Sequence, residues 1–210
     1  MFDRKAHWEE IYNDRDPLEL NWYQKEPALS LQLIRNARLA LDAPLIDVGG
    51  GASVLVDYLY AEGYTSLAVL DISPGALASA RRRLGEKAGR VEWIEADITC
   101  FHSPHRFSIW HDRSVFHFLT EASDRQGYVE ALEHTLAPDG QAIIAAFAPG
   151  GPAKCSGLDI VQYDAGKLIA ELGEGFALVE AQSEIHLTPA NREQKFRYFR
   201  FRKTGGSGRD

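Results

Sequence analysis

Leu45-Ile46-Asp47-Val48-Gly49-Gly50-Gly51-Ala52-Ser53 is the stretch from which the rest of the chain is read. Its opening residues suit a buried strand, its three glycines permit a sharp turn with close approach of a ligand to the backbone, and Ala52 to Ala61 continue as a helix. A strand that passes through a glycine turn into a helix offers backbone N–H groups to a nucleotide cofactor. Two details separate it from the dinucleotide fingerprint G-x-G-x-x-G: the acid Asp47 ahead of the first glycine, and Val54 where the third glycine belongs. Both point away from NAD.

Working outward, the chain from Pro44 alternates short apolar strands with helices. Strands are expected at Leu45–Val48, Leu67–Leu70, Val91–Ala96 and Phe107–Trp110, with helices near Ser53–Glu62 and Pro74–Glu86. This predicts a Rossmann-like, doubly wound α/β sheet. Asp47, Asp71, Asp97 and Asp112 each fall at the carboxyl end of a strand, the edge at which open α/β sheets bind ligands. A helix over Glu121–Leu136 follows, and the turn Ala137-Pro138-Asp139-Gly140 leads to a fifth strand, Gln141–Ala148. Then come a Gly/Pro-rich loop, Pro149–Gly157, a helix over Asp164–Leu172, and strands at Phe176–His186 and Gln194–Arg202. The link between these last two strands, through Thr188-Pro189-Ala190-Asn191, is too short for a parallel crossover, so the last of seven strands is expected to run antiparallel.

Ahead of this core lies an aromatic N-terminal extension. A helix is expected over Asp3–Asn13, broken by Asn13-Asp14-Arg15-Asp16-Pro17, and a second from Pro27 to about Leu41. Trp8, Trp22 and Tyr23 either form a lid over the ligand site or attach an extra helix to the body. The organisation read from this is a helical cap over residues 1–43, continuous with one globular unit over 44–204, and a Gly/Ser tail over 205–210.

Composition narrows the function. With 210 residues, 45% hydrophobic and 25% charged, the chain is expected to be a soluble single domain, and no run is long enough to span a bilayer. A net charge of -7 disfavours phosphate-backbone binding, and Arg81-Arg82-Arg83 is equally a solvated helix face. Cys100 and Cys155 lack metal or redox spacing, and His102 and His105 lack a supporting ligand pattern, so no metal site is expected. No signal region precedes the core, and a cytoplasmic location with reduced thiols is the expectation.

Taken in order, Asp47-Val48-Gly49-Gly50-Gly51, Asp71, Asp97-Ile98 and Pro138-Asp139-Gly140 resemble the class I S-adenosylmethionine-dependent methyltransferases over roughly Pro44–Ala148. His111-Asp112-Arg113-Ser114-Val115-Phe116-His117-Phe118-Leu119 and Cys155-Ser156-Gly157-Leu158 are similar to a bacterial branch near the small protein-lysine and thiopurine-type enzymes. The resemblance implies S-adenosylmethionine as methyl donor, with S-adenosylhomocysteine as product. It implies that Asp71, with Ile72 beside it, accepts from both ribose hydroxyls, a role that competes with helix capping. It further implies that Asp97 and Ile98 bracket the adenine, unless Asp97 only caps the next turn.

Gly49, Gly50 and Gly51 would admit the methionine part, Asp47 would act near its ammonium group or else tie the turn to itself, and His111, Asp112 and Trp22 complete the expected cofactor wall. Methyl transfer needs mainly positioning and control of one proton, so it leaves little obligatory signature. Asp112, Arg113 and His117 are the candidate catalytic residues. Arg113 either recognises an acceptor carboxylate or pairs with an acid, and His117 is either a base or a structural partner. Tyr163, His186, Trp22 and Tyr23 are further acceptor-side candidates. An acidic, aromatic entrance with Trp22, Tyr23 and Asp112 would suit a protein lysine, whereas Arg113 and Lys154 would suit a small anion. Two other classes stay open at this level: a cofactor-binding module without catalysis, and an NAD-dependent oxidoreductase.

Overall fold

The computed structural model describes residues 2–204, so the expected tail at 205–210 lies outside the described residues. Two helices open the chain, α1 (Arg4–Asp14) and α2 (Ala28–Asn36). The alternating core follows as β1 (Leu45–Val48), α3 (Leu55–Ala61), β2 (Leu67–Asp71), α4 (Pro74–Leu84), β3 (Val91–Glu95), β4 (Phe107–Arg113), α5 (Ala122–Thr135) and β5 (Leu136–Phe147). A short hairpin, β6 (Lys154–Cys155) and β7 (Leu158–Asp159), precedes α6 (Ala165–Leu172), β8 (Phe176–Leu187) and β9 (Glu193–Lys203).

The main sheet has seven strands in the order β3-β2-β1-β4-β5-β9-β8. β1 to β5 pair in parallel, and β9 runs antiparallel to both β5 and β8. The short link between β8 and β9 leaves no other pairing, as its length predicts. Strand order reverses between β1 and β4, so a crevice opens at their carboxyl ends.

Strand alternation divides the core into two layers. Leu45, Val69, Ile109 and Ile143 pack with α2 and α3 through Leu31, Ile34, Leu55 and Leu59, whereas Ile46, Leu70, Trp110 and Ile144 pack with α5 and α6 through Tyr128, Leu132, Leu168 and Leu172. With both faces covered, β1 and β2 are buried at every position, which is why they read as continuous apolar runs.

Four elements differ from the sequence expectation. β4 continues past Trp110 to Arg113, so His111 and Asp112 are strand residues with neighbours on both sides, Asp47↔His111↔Ile143 and Val48↔Asp112↔Ile144. α2 stops at Asn36 instead of Leu41, because Arg38 takes φ 53 and leads the chain out of the helix, and Pro27 serves as its N-cap. The Ala137–Gly140 turn is a bulge inside β5: Phe107 pairs with Leu136 and Ile109 already with Gln141, with Asp139 at φ 58. Within the expected loop, Ser156-Gly157 closes the β6–β7 hairpin.

One close approach sets the position of the loop after β3. A Cβ at Gly127, in the middle of α5, would lie 2.1 Å from the Thr99 carbonyl oxygen, in the turn that carries Asp97 and Ile98. Replacing a helical glycine with alanine usually stabilises by roughly 1 kcal/mol. Here Gly127→Ala is expected to destabilise by roughly 1–3 kcal/mol, because backbone must move to make room. Urea unfolding of the two proteins checks the sign, and a stabilised variant would rule out the tight contact.

Candidate functional site

The glycine turn at the crevice is built around two close contacts. At φ 65, a Cβ on Gly49 would fall 2.0 Å from Val115 Cγ2, and at φ 40 one on Gly51 would fall 2.6 Å from Asp71 Oδ2. Only glycine fits either position, and the turn leaves bare backbone facing the crevice. Below it, Asp47 is 3% exposed. His111 Nδ1 lies 2.7 Å from Asp47 Oδ1, and His111 Nε2 lies 2.9 Å from Ser30 Oγ on α2. A carboxylate can only accept, so Nδ1 carries the proton, and in the neutral ring Nε2 accepts from the serine hydroxyl.

Two adjoining cavities, of ≈ 90 and ≈ 50 Å³, lie at this edge and share Tyr12, Trp22, Gly49 and Arg113 as walls. The larger is bounded by Asp71 and Ile72 after β2, by Asp97 and Ile98 after β3, and by Ser114, Val115, Phe118 and Leu119 after β4. Asp47, Gly50 and His111 bound the smaller. The geometry thus gathers Asp47, Gly49, Gly50, Asp71, Ile72, Asp97, Ile98, His111, Arg113 and Trp22 around one crevice, with Gly51 in contact distance of Asp71.

Asp71 Oδ1 accepts from the Ser73 N–H at 2.9 Å, while Oδ2 faces the glycine turn. Burial pushes this carboxyl up to about 7, the Ser73 N–H opposes the rise, and the Asp47 and Glu9 charges add to it. Helix α4 is capped by Ser73, whose hydroxyl accepts from Ala76 N, so capping is not the task of Asp71. Asp97 does cap its turn, accepting from Thr99 N at 2.9 Å, and its other oxygen accepts from Arg4 Nη1 at 2.9 Å.

Asp112 and His117 lie away from both cavities. Alternation along β4 sends Asp47's neighbour His111 toward α2 and Asp112 toward α5. There Asp112 is fully buried and accepts from Val115 N (2.9 Å), Phe116 N (3.1 Å) and Tyr128 Oη (2.7 Å), while Trp110 Nε1 donates to Tyr128. The carboxylate shapes the turn that follows β4, and burial holds it up at about 6. His117 is fully buried and stacked on Phe147 at 4.7 Å, and neither ring nitrogen finds a hydrogen-bond partner among the described residues. Burial and the Arg113 charge push its imidazole down to about 3, so the ring stays neutral. Of the three residues expected to be catalytic, Arg113 alone lines the cavities.

The other acceptor-side candidates scatter. Tyr23 lines the smaller cavity, and His186 Nε2 donates to the Asn21 carbonyl at 2.8 Å. Tyr163 is buried against Phe116, and Lys154 pairs at the surface with Asp159. The sequence reading did not assign Arg4, Ser114, Val115, Phe118 or Leu119 to the wall. The i, i+4 aromatics Trp8 and Tyr12 were the available signal: α1 buries no residue, yet both reach into the crevice. Trp8 meets Phe118 edge-on at 4.9 Å, and Trp22 meets Trp8 at 5.8 Å and Tyr12 at 6.2 Å. α1 is fastened by polar contacts: Arg4 to Asp97 and Asp124, Lys5 to Glu95, and Glu9 to Ser73 Oγ and Gly75 N.

Asp112→Ala is expected to lower the unfolding free energy by roughly 3 kcal/mol or more, since the buried Phe116 N–H and Tyr128 hydroxyl and the partly buried Val115 N–H lose their acceptor. Denaturant titration measures this, and a loss below about 1 kcal/mol would show that the turn is held by other contacts.

Comparisons with known proteins bear on the domain and the fold. Residues 45–140 match a family model described as a methyltransferase domain. Among curated protein sequences none matches significantly. The chain is similar in structure to the N-methyltransferase NodS from Bradyrhizobium japonicum in complex with S-adenosylhomocysteine, at 19% identity and TM-score 0.72, covering 96% of this chain and 99% of that one. It is similar also to a Burkholderia thailandensis 1,6-didemethyltoxoflavin-N1-methyltransferase with bound 1,6-didemethyltoxoflavin and S-adenosylhomocysteine, at 20% identity, TM-score 0.73, and 95% and 87% coverage. A third likeness is to an S-adenosylmethionine-dependent methyltransferase from Anabaena variabilis, at 15% identity, TM-score 0.76, and 97% and 96% coverage. Residues 45–140 thus match a methyltransferase domain, and the chain as a whole shares the fold of these solved methyltransferases.

Proposed function

We propose that the protein is an S-adenosylmethionine-dependent methyltransferase that methylates a small molecule, with the cofactor held across the two cavities that share Gly49, Tyr12, Trp22 and Arg113. That pair of cavities at the reversal of strand order is the observation that carries the reading, because a cofactor with a nucleoside end and an amino-acid end needs two chemically different halves. In the larger cavity Asp71 is the acceptor for the ribose hydroxyls, and Asp97 and Ile98 flank the adenine. In the smaller, Gly49 to Gly51 admit the amino-acid part, and the Asp47–His111 pair supplies negative character for its ammonium group. When bound, S-adenosylmethionine supplies a methyl group activated by its sulfonium.

The chain's own residues position the acceptor and exclude water. Trp8, Trp22 and Phe118 wall the crevice with aromatic surface, and Arg113 has a side chain only 10% exposed. Such an enclosure favours a small acceptor over a protein lysine, and the likeness to a methyltransferase crystallised with 1,6-didemethyltoxoflavin supports it. Residues 2–43 serve as the cap over this crevice. Two free cysteines, and no helix among the described residues long and apolar enough to cross a membrane, accord with action in the cytoplasm. Methylation of a cell lysate with radiolabelled cofactor separates the acceptor classes: label in the small-molecule fraction is expected, and label confined to protein would reverse the assignment.

The state of Asp71 gives a pH dependence. In the free protein its carboxyl is raised to about 7, so below that pH it carries a proton and loses acceptor capacity. Ribose hydroxyls donate to the ionised form, so affinity rises with pH through this window and levels off above it. Calorimetric titration with S-adenosylhomocysteine is expected to show about tenfold tighter binding at pH 8 than at pH 6. Asp71→Asn is expected to bind weakly and with a flat profile, and unchanged affinity in that variant would overturn the ribose assignment.

A further inference from the structure

The cap meets the crevice through a short strap, Asn21–Gln24, whose Trp22 lines both cofactor cavities and a third cavity beyond them, bounded also by His7, Asn21 and Ser156. Trp22 is therefore the partition between the crevice and the outer approach. Its indole meets the rings of Trp8 and Tyr12 and packs on the core layer beneath α2. Its backbone, in contrast, is pinned from the sheet. Arg113 Nη1 donates to the Trp22 carbonyl at 2.9 Å, and His186 Nε2 donates to the preceding carbonyl, Asn21 O, at 2.8 Å.

Arg113 is itself held by the sheet. Its Nε donates to Tyr198 Oη at 2.8 Å, its guanidinium lies 4.5 Å over the Phe196 ring, and its Nη2 is 3.7 Å from Glu184. Tyr198 donates in turn to Glu184 at 2.9 Å, and Glu184 accepts from Gln24 on the strap at 3.0 Å. The guanidinium is thus one corner of a closed circuit from β4 through β9 and β8 back to the strap. Two of the fork's three nitrogens are engaged by hydrogen bonds, and the third, Nη2, has no hydrogen-bond partner among the described residues but lies 3.7 Å from the Glu184 carboxylate, whose charge opposes capture of a free anion; such a fork is built to hold something in place.

We infer that Arg113 is a positioning residue: through the Trp22 carbonyl it sets the aromatic partition that separates the cofactor crevice from the outer cavity, with Glu184, Tyr198 and His186 as its supports. The inference rests on the placement of the cofactor in that crevice. It joins the final β8–β9 hairpin, which does not itself line the two cofactor cavities, to cofactor retention.

The test uses protein labelled with 5-fluorotryptophan, which gives one fluorine resonance for each of Trp8, Trp22, Trp93 and Trp110, with Trp22 identified through Trp22→Phe. In Arg113→Met, the Trp22 resonance is expected to move toward its solvent-exposed position. Binding of S-adenosylhomocysteine is expected to weaken about tenfold, the loss of one charge-assisted hydrogen bond. Arg113→Lys, which keeps the charge but on a single nitrogen without the planar fork, should restore both in part. Trp110 lies three residues before Arg113 on β4, so a purely structural role would move its resonance as well, and that result, or a Trp22 resonance and affinity unchanged from wild type, overturns the inference. Should Arg113→Met fail to fold, Tyr198→Phe removes the hydroxyl that braces Nε, and the same shift in smaller measure is expected; its absence overturns the inference equally. Failure of the cofactor placement is a separate outcome, seen as wild-type affinity for S-adenosylhomocysteine in Asp71→Ala while Trp22 still responds to Arg113.

Discussion

A buried carboxylate cannot remain charged without a partner, and the pairing of Asp47 with His111 is the constraint around which the crevice is organised. The two residues face each other across β1 and β4, the strands between which the sheet changes direction. Because the second imidazole nitrogen meets Ser30, the same pair also fastens α2. The glycine turn leaves β1 directly above this pair, and Gly50 N bonds to the Leu70 carbonyl, so the turn is tied to β2 as well. A floor assembled in this way presents backbone at a defined place, a condition for holding a ligand without reorganising when it arrives.

The roof follows a different physical logic. α1 buries no side chain and is fastened by ion pairs and hydrogen bonds to groups at the sheet's carboxyl edge, Glu95, Asp97, Ser73 and Gly75. Partly exposed polar contacts of this kind are individually worth little, so the roof is held less firmly than the floor. Its aromatic side chains pack mainly on one another and on Phe118. The circuit through Arg113, Tyr198 and Glu184 is the more buried exception, and it fixes the roof at Trp22, above the boundary between the two cavities.

Much of this was legible in the chain. Continuous apolar runs marked strands covered on both faces, Ser73-Pro74 marked the start of α4, and the short link after β8 required an antiparallel return. Acids at four strand ends marked the ligand edge, but their separate fates were not visible. Asp71 keeps an oxygen toward the glycine turn, Asp97 is shared by its own turn and Arg4, Asp47 is consumed by His111, and Asp112 by a turn and a tyrosine. The parity of a strand position decides which layer a side chain enters, and that parity became definite only once β4 was known to continue to Arg113. His117 shows the same limit, since a histidine in a chemical-looking run is here an aromatic plate against Phe147.

The sequence by itself determined the α/β alternation, the antiparallel end of the sheet and the edge at which the acids and glycines converge. These depend on local periodicity and on connection length, both properties of consecutive residues. Only the tertiary structure decided which of those groups face the crevice, that Trp8 and Tyr12 join Trp22 in its wall, and that Arg113 is braced by the distant Glu184 and Tyr198. Those contacts join residues far apart in the chain, and their geometry exists only after both layers have packed against the sheet.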